Sequence, residues 1–425
     1  MLALVGFSAI IILLIVILKK WLSPLAALIL VPVVALMLAG QIENLNVFAL
    51  DGIQSVSATA AMFVFAIIFF GVMSDAGLFN PFISLTLKIV GNSPTKIAIG
   101  TVALSSLVHL DGSGASTFLI AAPALLPLYD YVGMDRKVLA ACIAMAAGVN
   151  NMLPWGGPTI RAATAMEVNV VDMYMPIMPI HLFGLCLVFV LAGVLGFLES
   201  RRLSVAAAMS DEPRVEGELS GIDLKFFINL ALTGVILYLL VSGALHPALA
   251  FMIGTVLAFL INYPKLTDQA KKIDQFAPAA LMMAAVLFAA GIFTGILKGS
   301  GMLDAMATVS ATVIPEFLAT ELPVIMGVVS MPLSLLFDPD SFYFGILPVI
   351  ANIAEQVGVD PISVAHGALM GQMTTGFPIS PLTPATFLLI GLTRIDLADH
   401  QKFTFPLLLI LSVSMSLFGW TIGVL

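Results

Sequence analysis

The sequence predicts an all-α polytopic membrane protein made of two inverted five-span repeats, each holding a re-entrant hairpin and a discontinuous helix. Three observations carry this. Of 425 residues, 60% are hydrophobic and only 10% charged, with a mean hydropathy of +1.11; ordinary soluble domains carry roughly a quarter charged residues. Apolar runs of spanning length recur from end to end. Finally, two matching polar breaks interrupt that apolar sequence about 225 residues apart. In hydrocarbon every backbone N–H and C=O must be paired, so unwound, carboxylate-bearing backbone survives there only around a protein-lined cavity.

The opening run 2–18 has no Lys or Arg before it and Lys19-Lys20 after it. That is the reverse of a cleavable signal peptide, and it is read as a first span. Further spans are expected over 23–39, 53–74, 173–198, 225–243, 247–262, 275–297 and 403–424. Broken helices are expected over 137–166 and 361–393. Two pairs of short stretches remain, 97–110 with 115–128 and 323–337 with 341–356. About fourteen helical residues rise only about 21 Å, short of the ~30 Å hydrocarbon core. Each pair therefore reads as a hairpin, 97–128 and 323–356, with its tip near the midplane. The segments 78–96 and 299–318 read as interfacial arms, and the polar stretch 199–224 as a linker. Residues 1–198 form one repeat and 225–425 the other.

The repeats match in detail. Gly71-x5-Gly77-x2-Asn80 recurs as Gly295-x5-Gly301-x2-Asp304, Asp111 as Asp338, Pro123 as Pro348, and Gly133-Met134-Asp135 as Gly358-Val359-Asp360. Five spans per repeat is an odd number, so the second lies upside-down relative to the first. With both termini outside and the linker cytoplasmic, fifteen Lys and Arg fall in cytoplasmic segments and Lys298 alone outside, a strong positive-inside bias. The expected location is the cell membrane. The net charge of −8 argues against a nucleic-acid partner. Cys142 and Cys186 both fall in apolar segments and read as buried structural thiols.

The first break runs His109-Leu110-Asp111-Gly112-Ser113-Gly114-Ala115-Ser116-Thr117, followed by Asn150-Asn151-Met152-Leu153-Pro154-Trp155-Gly156-Gly157-Pro158-Thr159. The second runs Phe337-Asp338-Pro339-Asp340-Ser341, followed by Thr374-Thr375-Gly376-Phe377-Pro378-Ile379-Ser380-Pro381-Leu382-Thr383-Pro384. Paired breaks at corresponding positions mark the binding site of a secondary transporter. Among acidic residues only Asp111, Asp338 and Asp340 fall within the membrane, and among basic ones only Arg161 lies well inside a span. Lipid-facing carboxylates cost about 2.5–3.5 kcal/mol each, so these must share a polar cavity. Carboxylates, hydroxyls and freed carbonyls are hard oxygen ligands, suited to protons, Na⁺, Mg²⁺ or Ca²⁺. Four helix N-termini, near Ala115, Ser341, Pro158 and Pro384, would present free N–H groups to an anion. Arg161 would clamp a carboxylate, or else simply neutralise Asp111. The candidate substrate contacts are thus Gly112, Ser113, Gly114, Ser116, Thr117, Asn150, Asn151, Gly156, Gly157, Pro158, Thr159, Arg161, Ser341, Thr374, Thr375, Gly376, Ser380, Pro381 and Thr383. Asp111, Asp338 and Asp340 are the candidates for proton coupling or for touching a metal ion. His109 and His366 read as hydrogen-bonded interior histidines.

Asp111-Gly-Ser-Gly-Ala-Ser-Thr, Pro154-Trp155-Gly156-Gly157-Pro158-Thr159-x-Arg161 and Phe337-Asp338-Pro339-Asp340-Ser341-x-Tyr343-Phe344-Gly345 resemble the citrate–metal:proton symporter family (CitMHS) of the ion transporter superfamily. The resemblance covers essentially the whole chain. It implies uptake of citrate complexed to a divalent cation such as Mg²⁺ or Ca²⁺, driven by protons, with no permanently bound cofactor and no enzymatic activity. It further implies the fold of the related dicarboxylate:sodium symporters, usually a homodimer working as an elevator. Those relatives carry Ser-Asn-Thr at both hairpin tips. This chain has Gly-Ser-Gly and Pro-Asp-Ser instead, and its extra tip Asp residues suit proton coupling or contact with the bound metal. A proton-coupled gluconate or other free organic-acid symporter shares the architecture. An intramembrane aspartyl enzyme would also need two membrane carboxylates, but Asp111, Asp338 and Asp340 do not sit in the Tyr-Asp or Gly-x-Gly-Asp contexts of such enzymes.

Overall fold

The computed structural model describes residues 1–206, 223–311 and 320–425, and among these the chain is helices joined by turns, with no strand. Both hairpins and both broken helices form. Hairpin 1 is Pro94–Val108 and Gly114–Val132; hairpin 2 is Leu322–Leu333 and Leu347–Gln356, its second arm opening with a π-helical turn over Ser341–Ile346. The first broken helix is Arg136–Asn150 and Gly157–Ala165. The second is Pro361–Leu369 and Pro384–Thr393.

The recurring Gly-x-Asp triplets have a local cause. Gly133 and Gly358 turn the chain with φ of +79° and +81°, a conformation that costs glycine nothing. Two residues on, Asp135 and Asp360 accept from the backbone N–H of Lys137 and Ile362, capping the broken helices. One triplet per repeat thus ends a hairpin and starts a broken helix.

Two spans run longer than the apolar sequence suggests, Leu45–Asp75 and Leu266–Gly299. Their extra turns carry Asp51, Asp268, Lys271, Lys272 and Asp274. Water can satisfy those side chains where the helix leaves the hydrocarbon, so hydropathy marks only the buried part of each helix. The arms are Asn80–Val90 and Met302–Ala311; residues 312–318 of the expected second arm lie outside the described residues. Helix Met178–Ala206 runs into the expected linker, of which 207–222 likewise lie outside them. Cys142 is buried as expected, but Cys186 is exposed. An outward-facing membrane helix is as apolar as an inward-facing one, so composition could not place it.

The helices sort into two bundles. Leu45–Asp75 and Leu266–Gly299 pack along each other at the centre of the first. Pro247–Asn262 lies against the former and Pro24–Leu38 against the latter, with Leu224–Val241 and Leu2–Leu18 on those in turn. The second bundle collects both hairpins, both broken helices, Met178–Ala206 and Leu397–Thr421. The two central helices of the first bundle touch backbone to backbone at one level: a Cβ on Gly52 would fall 1.9 Å from the Gly291 carbonyl oxygen. Small-residue contacts of this kind let membrane helices approach closely. At another level the ring of Phe276 lies over Gly71 and holds the pair apart.

Candidate functional site

Hairpin 1 turns through one 3-10 turn, His109–Asp111, and then through Gly112 at φ +71°. The Asp111 carboxylate accepts from the Ser113 N–H at 2.8 Å, and the Ser113 hydroxyl accepts from the Ser116 N–H at 3.3 Å. Trp155, from the break of the first broken helix, donates its Nε1–H to the Leu110 carbonyl at 2.7 Å. Its ring stacks on Phe70 of the central helix Leu45–Asp75, with centroids 5.8 Å apart. A Cβ on Gly112 would press on Trp155 at 3.0 Å, and the left-handed φ there favours glycine in any case.

At hairpin 2 the acids divide the work. Asp338 accepts from the backbone N–H of Asp340 and Ser341 at 3.0 and 3.1 Å and from the Ser341 hydroxyl. It therefore occupies the fourth helix N-terminus with the chain's own carboxylate. Asp340 pairs with Arg161 Nε at 2.7 Å. The alternative in which Arg161 neutralises Asp111 is thereby replaced. Arg161 keeps only long contacts for its other nitrogens, 3.2 Å to the Gly157 carbonyl and 3.5 Å to Met283 Sδ.

The two breaks meet each other. Asn151 donates to the Met373 carbonyl at 2.6 Å, and a Cβ on Gly148 would come 3.0 Å from the Cα of Thr375. Met373 holds φ +53°, a strained conformation for a non-glycine residue that needs its surroundings to fix it. The Ser334 hydroxyl, bonded to its N–H at 2.9 Å, and Asn151 do so from opposite sides.

Between tips and central helices lies a cavity of about 420 Å³. Hairpin 1 lines it with Asp111, Gly112, Ser113, Gly114 and Ser116, and the first broken helix with Asn151, Trp155, Gly157, Pro158 and Arg161. The second repeat adds Pro339, Met373, Phe377, Thr383 and Pro384. The facing wall is Phe63, Ile67, Phe70, Gly71, Phe276 and Met283. Three helix N-termini, at Gly114, Gly157 and Pro384, open onto it. One carboxylate, Asp111, and one guanidinium, Arg161, are the charged side chains in the lining.

The remaining candidates stand behind this wall. Thr117 bonds the His109 ring at 2.8 Å; Asn150 donates back to Ala146, and Thr159 to the Met152 carbonyl, each at 2.8 Å. Thr374 and Thr375 donate to the carbonyls of Leu369 and Met370, and Ser380 to that of Ser334. Gly156 and Gly376 allow close approach of Asn151 and of Ser334. Ser341 is buried against Asp338, whereas Pro381 is exposed. His366 bonds the Met173 carbonyl at 3.0 Å and is buried. Trp155, Pro339, Met373 and Phe377 were not among the candidates; Trp155 sits in the quoted Pro-Trp-Gly-Gly-Pro-Thr string, which was its only signal. Among the described residues no group of three or more His, Cys, Asp or Glu could hold a metal ion.

The family model for citrate transporters, CitMHS, matches residues 11–371. The chain belongs to the CitMHS citrate transporter family. It is a multi-pass membrane transporter and not an enzyme. A CitMHS relative described as "Citrate transporter" from Bacillus subtilis (strain 168) is 38% identical over the whole of both chains. A second from the same organism, "Mg(2+)/citrate complex secondary transporter", is 36% identical over all of this chain and 99% of that one. Among solved structures, the YdaH transporter of Alcanivorax borkumensis matches with a TM-score of 0.63 at 15% identity, over 90% of this chain and 89% of that one. This last likeness shows that this CitMHS chain shares that fold.

Proposed function

We propose that this chain imports citrate as a complex with a divalent cation, Mg²⁺ or Ca²⁺ or similar, in symport with protons. The observation that carries the reading is the pairing of Asp111 and Arg161 in one cavity with three helix N-termini. Free citrate bears about three negative charges at neutral pH, because isolated carboxyls ionise near about 4 and even the last of the three loses its proton below about 7. A lining with one carboxylate and one guanidinium matches a ligand that presents both signs. The cation faces Asp111, while the outer carboxylates face Arg161 and the N-termini. Mg²⁺ is commonly held by one or two carboxylates plus its substrate and waters, so citrate supplies most of its ligands. The relative named for Mg²⁺/citrate supports this cargo. Of the three tip carboxylates, Asp111 lines the cavity and is the one proposed for coupling, while Asp338 caps the second hairpin's tip and Asp340 holds Arg161.

The repeats 1–198 and 225–425 are proposed to lie inverted in the cell membrane, with both termini outside and the 199–224 linker inside. The bundle carrying tips and breaks is proposed to travel against the six-helix bundle, as an elevator within a homodimer built on spans 23–39 and 247–262. Uptake of labelled citrate into proteoliposomes tests the cargo and the coupling. It should require Mg²⁺ or another complexing cation, stop in excess chelator, and rise with an inward proton gradient. Undiminished uptake in chelator would instead support a carrier of free organic acids.

A further inference from the structure

A second, apolar cavity has no part in the site just described. Helices Leu2–Leu18 and Pro24–Leu38 pack with the buried small residues Ala9 and Ala35 at the floor of a groove of about 340 Å³. Leu4, Ile12 and Val16 wall it on one side, and Leu30, Val34 and Leu38 on the other. Ser8 is the sole hydroxyl in its lining. Leu4, Ile12, Leu30, Val34 and Leu38 are all exposed. A 17-residue helix spans about 25 Å, so the groove runs through most of the hydrocarbon depth.

One end of this groove is basic. The turn joining its two walls carries Lys19, Lys20 and Trp21, all exposed. Val16 pins the turn by accepting from the N–H groups of Trp21 and Leu22 at 2.9 and 3.3 Å, and Lys20 takes φ +57° within it. Neither lysine has an ion-pair partner among the described residues, whereas Lys272 and Lys298 are paired with Asp75 and Glu167. Two adjacent unpaired ammonium groups beside a tryptophan, at the mouth of an apolar groove, match the parts of a lipid in order: phosphate, interface, chain.

We propose that this groove holds an anionic phospholipid of the bilayer. One acyl chain lies along Val16, Leu22 and Leu30, and the phosphate rests on Lys19 and Lys20. A second copy of the chain is the weaker occupant. A two-fold contact sets the same patch against itself, which would bring two Lys19-Lys20 pairs together with no carboxylate on this turn to offset them. Ile29, turned away from the groove on the same helix and also exposed, remains for a subunit contact.

The test is native mass spectrometry of the full chain, stripped of lipid and titrated with phosphatidylglycerol or phosphatidylcholine of matched acyl chains. The parent should hold one phosphatidylglycerol in preference to phosphatidylcholine. K19Q with K20Q should lose that preference, with affinity falling roughly 30-fold, while K88Q, a lysine on the first arm, leaves it unchanged. Ser8→Trp, which fills the groove and keeps both lysines, should lose binding of either lipid. Retention of phosphatidylglycerol by both altered proteins would overturn the proposal. So would a Ser8→Trp chain that binds lipid normally but changes from dimer to monomer, which would assign the groove to a second copy.

Discussion

Arg161 and Asp340 join the two repeats: Nε of the first broken helix meets Oδ1 of the second hairpin tip at 2.7 Å, with side chains only 9% and 12% exposed. A pair this buried is costly to desolvate and more costly to break. It ties the cavity's only guanidinium to a carboxylate from the opposite repeat. The tip of hairpin 2 therefore reports directly on the position of Arg161.

Asp340→Ala should lower stability by about 3–5 kcal/mol, because the guanidinium is left buried and uncompensated. Thermal unfolding in detergent would register this. Adding Arg161→Met should recover most of the lost stability without restoring citrate uptake. Additive losses in the double variant would mean that the two side chains do not act as a pair.

Asp111 and Asp338 should behave differently despite their matching places. Asp111→Asn keeps the turn, since an amide oxygen can still accept from Ser113, but removes the lining's only carboxylate. Uptake of the metal complex should fall at least about tenfold, the worth of one charged contact, with folding intact. Asp338 is occupied in capping its own helix, so Asp338→Asn should retain most uptake, and Asp338→Ala should cost about 0.5–2 kcal/mol of stability. Equal loss in both Asn variants would return Asp338 to the binding site.

Ser113 lines the cavity while Ser341 is fully buried. In a Cys186→Ala background, which removes the exposed thiol, Ser113→Cys should react with a water-soluble maleimide and Ser341→Cys should not. Conditions that drive the tips to the other side of the membrane should reverse that order. Protection that never changes while transport continues would rule out a travelling tip bundle.

Gly52→Ala should destabilise the chain by 2 kcal/mol or more, on the scale of about 1–3 for overpacking a close contact, since its Cβ would collide with the Gly291 carbonyl. Gly234→Ala is the counterpart: nothing lies within 4 Å of its Cβ position, and the gain in helix propensity should be about 0.5–1 kcal/mol. Paired melting curves separate backbone contact from helix propensity.

The breaks, hairpin tips and repeats were legible because unwound polar backbone in an apolar chain has few physical excuses. Asp111, Asn151 and Arg161 stood out for that reason. The facing wall did not: Phe63, Phe70, Phe276 and Met283 are ordinary membrane residues whether they face lipid, a neighbour or a cavity. Nor did the partner of Arg161, since a contact across 179 positions leaves no trace in local spacing. Met373 was missed because backbone strain in a methionine has no compositional signature, unlike the turns at Gly133 and Gly358.

The contacts of the two central helices have a consequence for directionality. By the repeat offset of 224 that relates Gly71 to Gly295, Gly52 is the equivalent of Phe276, and Gly291 of Ile67. One crossing is closed by two glycines, while at the other the phenyl ring of Phe276 lies over Gly71, and Phe276 and Ile67 both line the cavity. A carrier with two identical inverted halves would rest equally on either side of the membrane. The thickness of these side chains removes that degeneracy: with the repeats inverted as proposed, the two resting sides should differ in energy, and uptake and efflux measured in the same vesicles should differ in rate.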